Sequence, residues 1–135
     1  MLNKAQLIGR LGRDPEIKTM QNGKEVARLS LATSDRWKDR NGEKQERTEW
    51  HQVVVFNEGL VNLVKNYARK GKLIYVEGSI TTRKWQDQSG ADRYSTEIVL
   101  QPFRSAVQIL EWPDDKNQSA EPAASAEELE DDIPF

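Results

Sequence analysis

Cysteine is absent from the 135 residues, which excludes disulfides and thiolate metal ligands. Histidine occurs once, at His51, and a single histidine without cysteine argues against a zinc site. Long hydrophobic runs are missing as well. The longest, Val53–Phe56 and Leu73–Val76, are far too short to span a bilayer. Met1–Gln6 lacks the apolar stretch of a signal peptide. The acids Glu58, Glu77, Asp87 and Asp92 are scattered without metal-ligand spacing. Gly9-Arg10-Leu11-Gly12 has no Walker pattern and does not open a helix. These absences lead to the expectation of a soluble cytoplasmic protein with no cofactor or metal.

Charge is present but unevenly placed. Residues 1–112 carry +5, residues 113–135 carry −7, and the whole chain carries −2. A basic body with an acidic tail points the body toward nucleic acid, although +5 is also ordinary surface variation for a domain of this size. From Pro113 the composition turns to Asp, Glu, Ser, Ala and Pro. Such a segment cannot bury enough apolar area to offset its ordering entropy, so a disordered tail is expected. Its end, Asp131-Asp132-Ile133-Pro134-Phe135, departs from that pattern by placing apolar groups last. Two readings follow: a solubilising linker, or a docking peptide whose Ile133 and Phe135 enter an apolar pocket with a basic rim.

The longest β-branched run is Thr48–Asn57, and it favours a strand. Val53 and Val55 suit a core, while Trp50 and Phe56 lie on the alternate positions and require a second partner. Around it, strands are expected over 1–13, 17–20, 26–37, 45–56, 73–85, 93–100 and 106–110. Asp14-Pro15, Asn22-Gly23, Asn41-Gly42 and Ser89-Gly90 supply the turns. Residues 57–70 change period: Leu60, Leu63, Val64 and Tyr67 fall on one helical face, with Asn57 as N-cap and Gly71 as terminator. Five main strands with one helix between the third and fourth outline an all-β OB-fold, a five-stranded Greek-key barrel over 1–112, followed by the disordered acidic tail 113–135. Trp112 is expected to seal the end of the barrel.

Two hairpins share a layout. In each, glycine lies five residues after tryptophan and Thr-Glu lies eleven and twelve after it: Trp37, Gly42, Thr48-Glu49, and Trp85, Gly90, Thr96-Glu97. Arg36, Lys38 and Arg40 surround the first tryptophan, and Arg83 and Lys84 precede the second. Exposed indoles beside cations suit single-stranded nucleic acid, because only unpaired bases offer π-faces and each stack contributes roughly 1–3 kcal/mol. Tryptophan can instead pin a hairpin through cross-strand pairing. Three tryptophans and Phe56 together favour binding. A catalytic His51 would need an orienting carboxylate, and Glu49 on the same strand face is the only hint of one.

With these residues in view, the chain resembles the bacterial single-stranded DNA-binding proteins. The resemblance is carried by Asn3-Lys4, Gly9–Glu16, Ala32-Thr33-Ser34, Thr48-Glu49-Trp50-His51, Tyr75–Gly78, Thr82-Arg83-Lys84-Trp85, Asp92-Arg93-Tyr94 and the terminal Asp131–Phe135. It implies a homotetrameric OB-fold, not an enzyme, that binds and protects single-stranded DNA without sequence specificity, in DNA replication, recombination and repair, associated with the nucleoid. By position it implies base stacking on Trp37, Trp50, Phe56 and Trp85, and phosphate contacts from Lys18, Lys38, Lys70, Arg83 and Lys84. His51 would lie at a subunit interface, and Asp131, Asp132, Ile133, Pro134 and Phe135 would recruit replication and repair proteins. Gln52 stands where the family is often basic, and the 18-residue linker 113–130 is short, reaching about 20–25 Å as a flexible coil. The alternative reading is an OB-fold that binds RNA or serves as a protein-interaction module.

Overall fold

The period-two stretches become strands and the period-3.6 stretch becomes a helix. A computed structural model describes residues 1–111; Trp112 and the whole segment 113–135, with its terminal Asp131–Phe135, lie outside the described residues. In chain order the elements are β1 (Ala5–Leu11), β2 (Glu16–Thr19), β3 (Glu25–Lys38), β4 (Lys44–Val55), α1 (Glu58–Tyr67), β5 (Leu73–Gln86), β6 (Asp92–Leu100) and β7 (Ala106–Ile109).

The five long strands close on themselves in the order β1-β3-β4-β6-β5, with β5 pairing back to β1. The barrel closes, although β1 meets β3 only at Arg10 and Leu11, and the short β2 and β7 add to β3 and β5. All pairings are antiparallel except β4 with β6, where the chain returns after α1 and β5. The result is the all-β OB-fold expected from the sequence, with its helix between the third and fourth long strands. Gly78 marks where β5 leaves β1 and β7 and takes up β6; a Cβ there would come within 2.5 Å of the Val99 carbonyl oxygen.

The core lies inside the barrel. Leu29 and Leu31 from β3, Val53 and Val55 from β4, Ile74 and Val76 from β5, and Leu100 from β6 are essentially inaccessible. The helix plugs one end of it. Asn57 caps α1, its Oδ1 accepting from the Leu60 N–H at 3.1 Å. The apolar face differs from the one expected: Val61, Val64 and Ala68 are buried, Leu60 and Leu63 only flank the core, and Tyr67 is 41% exposed. The buried stripe is therefore shifted by one position, toward small side chains that fit against the barrel mouth. Gly71 does not end the helix, whose C-cap is Ala68. It sits in the turn to β5 at φ 88°, donating to the Leu11 carbonyl at 2.7 Å. No helix among the described residues is long and apolar enough to cross a membrane.

Candidate nucleic-acid interface

Strand register decides which side chains can share a surface. Directly paired residues lie on one side of a sheet and successive pairs alternate. On the β3–β4 ribbon, Leu29–Val53 and Ala27–Val55 face the core. In phase with them, Thr33–Glu49, Asp35–Arg47 and Trp37–Gln45 continue that side past the end of the core. The intervening pairs, Ser30–Gln52, Ala32–Trp50, Arg36–Glu46 and Lys38–Lys44, face outward. On β5–β6, Ile80–Ile98 faces inward with Lys84–Tyr94, while Thr81–Glu97, Arg83–Ser95 and Trp85–Arg93 face outward.

The parallel β4–β6 pairing sets Gln52 beside Glu97 and Val54 beside Val99, so the outward sides of the two ribbons are continuous. Lys18 joins them, because it pairs with Val26 in phase with Arg28–Val54. Lys18, Lys38, Trp50, Arg83 and Trp85 therefore share one outer surface. Phe56, in phase with Val54, lies just past β4 and is half-buried, its N–H donating to the Leu100 carbonyl at 2.8 Å. Lys70 is in the turn after α1, where its N–H donates to Asp14 Oδ1 at 2.8 Å.

Trp37 and Lys84 are on the opposite side of their ribbons. Both tryptophans have odd numbers, but β3 turns its odd positions inward and β5 its even ones. The same hairpin layout thus aims Trp37 and Trp85 to opposite sides. Both remain exposed, at 48% and 40%, because they sit beyond the packed part of the barrel; Trp50 is 58% exposed. Trp85 is oriented by its Nε1–H, which donates to Ser95 Oγ at 2.8 Å.

The shared layout has a structural cause that the tryptophans alone do not reveal. Each hairpin tip is closed by the aspartate two residues after tryptophan. Asp39 Oδ1 accepts from the Asn41 and Glu43 N–H groups at 2.9 Å each. Asp87 Oδ1 accepts from Ser89 and Ala91 at 2.9 and 3.1 Å. Gly42 and Gly90 supply the left-handed residue of each tip, at φ 78° and 82°. Hydrogen bonding holds both carboxylates below the ordinary range: the Glu43 N–H contributes most at Asp39, and the Ser89 hydroxyl, then Arg93, at Asp87.

Most of the cations are already paired. Arg83 Nε donates to Glu97 at 2.9 Å, Lys84 meets Asp92 at 3.2 Å, and Lys18 meets Glu16 at 3.3 Å. Lys38 instead faces Lys44 directly across the ribbon. Like charges in that position repel, and an anion between them relieves the repulsion. A cleft of about 620 Å³ lies here, lined by Arg36, Trp37, Lys38, Lys44, Gln45 and Glu46. Lys44 was missed in the sequence, because a two-residue Asn41-Gly42 turn would set it opposite Asp39; the extra residue in the tip brings it opposite Lys38. Glu49 and His51 form no acid–base pair: Glu49 meets Arg47 at 3.2 Å, and His51 Nε2 shares a 2.8 Å hydrogen bond with Thr33 Oγ1.

A closed OB barrel with an aromatic and basic outer surface defines a nucleic-acid-binding domain. Residues 2–110 match the model of the single-strand binding protein family, and the chain belongs to that family. A single-stranded DNA-binding protein of Rickettsia prowazekii (strain Madrid E) is 47% identical, with 99% of this chain and 97% of that protein aligned. One from Rhizobium meliloti (strain 1021) is 57% identical over 111 residues, 82% of this chain and 64% of the relative. Among solved structures, the Plasmodium falciparum SSB complex with ssDNA matches at TM-score 0.76 and 42% identity, covering 82% of this chain and 97% of that one. The names of these relatives are those of single-stranded DNA-binding proteins.

Proposed function

We propose that this protein binds and protects single-stranded DNA without sequence preference, stacking bases on Trp37, Trp50, Phe56 and Trp85. Lys18, Lys38, Lys70, Arg83 and Lys84 contact the phosphates. The observation that carries this reading is the continuous outer surface joining Lys18, Trp50, Arg83 and Trp85 across two ribbons. Neutralising phosphates releases counterions, so binding weakens as salt rises. The single-stranded DNA-binding relatives and the DNA-bound structural neighbour support the same ligand. The test is a fluorescence titration: poly(dT) quenches the tryptophans and duplex DNA does not. Equal affinity for both would refute it, and preference for RNA would favour the RNA-binding alternative.

The same reading includes a homotetramer working in replication, recombination and repair at the nucleoid. Ile8 is exposed on β1, and β1 pairs with β3 only at Arg10 and Leu11, so apolar surface and strand edge are offered to further copies. The reading also assigns His51, half-buried and hydrogen-bonded to Thr33, to a subunit interface. The acidic terminus, Asp131, Asp132, Ile133, Pro134 and Phe135, recruits partner enzymes. Deleting Ile133–Phe135 should abolish their capture and preserve DNA binding; unchanged capture would refute the assignment.

A further inference from the structure

Gly12, immediately after β1, has no side chain of its own to contribute, yet its missing Cβ decides where Trp50 lies. A Cβ built on Gly12 would come within 2.7 Å of Trp50 Cη2 and closer still to Cζ3, with Cε3 at 3.5 Å. These three atoms belong to the six-membered ring of the indole. The outer edge of the ring thus meets the Gly12 backbone, and that backbone is anchored, the Gly12 N–H donating to the Ser30 carbonyl at 2.9 Å.

Comparison with the other glycines isolates the role. Gly23, Gly42, Gly71 and Gly90 have positive φ and empty space beside them, so they serve turns. Gly9 and Gly78 lie against the Ala32 and Val99 carbonyls, so a side chain there would collide with the barrel itself. Gly12 has no positive φ, and its nearest neighbours are atoms of one exposed aromatic side chain. Glycine at position 12 therefore serves neither a turn nor strand closure. It provides clearance for an indole.

That indole separates two clefts on the outer surface. One, of about 400 Å³, is lined by Gly12, Arg13, Ser30, Trp50 and Gln52. The other, of about 670 Å³, holds Arg10 and Arg36 beside Trp50. Moving the ring off Gly12 changes both clefts and the direction of the stacking face together.

We propose that Gly12 is the positioning residue of the base-stacking surface: its bare backbone admits the outer edge of the Trp50 ring and so sets the tilt at which the ring faces meet a DNA base. This rests on the reading of Trp50 as a stacking platform. A methyl at position 12 displaces the ring, because the exposed indole can swing and the hydrogen-bonded backbone cannot.

The experiment compares Gly12→Ala, Trp50→Ala, Gly12→Ala/Trp50→Ala and Gly12→Ala/Trp50→Phe in the full-length protein, by oligo(dT) titration and thermal melting. Gly12→Ala should weaken binding about fivefold or more, the low end of one stacking contact. Gly12→Ala/Trp50→Ala should bind no more weakly than Trp50→Ala. Gly12→Ala/Trp50→Phe should recover part of the loss, because phenyl is smaller than indole. If Gly12→Ala also lowers the melting temperature, the phenylalanine variant should restore it; failure to do so would locate the clash in the backbone and overturn the proposal. Wild-type binding by Gly12→Ala with weakened binding by Trp50→Ala would overturn the Gly12 role alone. Wild-type binding by Trp50→Ala would overturn the stacking role itself.

Discussion

Glu97 is 7% exposed and accepts a hydrogen bond at 2.9 Å from Nε of Arg83, its diagonal neighbour on the outer side of the β5–β6 ribbon. Using Nε for the carboxylate leaves the two terminal nitrogens of the guanidinium for a phosphate, a geometry that lysine cannot reproduce. Arg83 is half exposed, so water screens the pair and its loss costs about 1 kcal/mol of stability.

Replacing Arg83 by alanine should therefore have two separable effects. The slope of log K against log salt for oligo(dT) should fall by about 0.7, the share of one phosphate on a single strand. The melting temperature should drop slightly, because Glu97 loses its partner. A salt slope equal to the wild type's would remove Arg83 from the phosphate contacts and leave it a structural role only.

The opposite facing of Trp37 and Trp85 sets a length dependence. A short oligo(dT), about eight nucleotides, can follow the continuous outer surface past Trp50 and Trp85. Reaching Trp37 requires the strand to pass around the edge of the β3–β4 ribbon. Trp50→Ala and Trp85→Ala should weaken the short ligand by about 1–3 kcal/mol each, whereas Trp37→Ala should affect only longer ones. Equal losses on the short ligand would mean that DNA crosses the ribbon differently.

Much of this arrangement was legible in the chain. Alternation, turn pairs and the period change at residue 57 were enough for the OB barrel, and Asn57 was recognisable as a cap because its side-chain chemistry acts locally. What was not legible depends on parity between strands. Whether Trp37 and Trp85 face alike is decided by which positions of β3 and β5 point inward, and that is fixed by packing across the barrel. The helix face missed by one position for the same reason: Val61 is chosen over Tyr67 by the space at the barrel mouth. Gly12 was part of a recognisable motif, but its contact with Trp50, 38 positions later, exists only in the folded chain.

Lys38 and Lys44 offer a second electrostatic test. Lys44→Ala should lower the salt slope by about 0.7 if both ammonium groups share phosphates at this tip. In the absence of DNA, the same substitution removes a cross-strand repulsion and should slow amide exchange of the ribbon tip. A variant with slower exchange and an unchanged slope would keep the repulsion and dismiss the phosphate role.

Acid should loosen both tips together. Asp39 and Asp87 are held below their ordinary value of 3.8 in the folded chain by hydrogen bonds that only the carboxylate accepts fully. A depressed folded value means the stabilisation is complete above 3.8 and is lost as pH falls below that value through the folded ones. The amide resonances of Asn41, Glu43, Ser89 and Ala91 should move in that window, and Asp39→Asn and Asp87→Asn should each abolish the movement at its own tip. Because Trp37 and Trp85 lie two residues before these aspartates, loosening the tips also releases the indoles. Quenching by oligo(dT) should therefore weaken across the same window in the wild type, and less so in the double asparagine variant, whose neutral amides no longer titrate. A window that is identical in wild type and variant would assign the acid effect to other carboxylates.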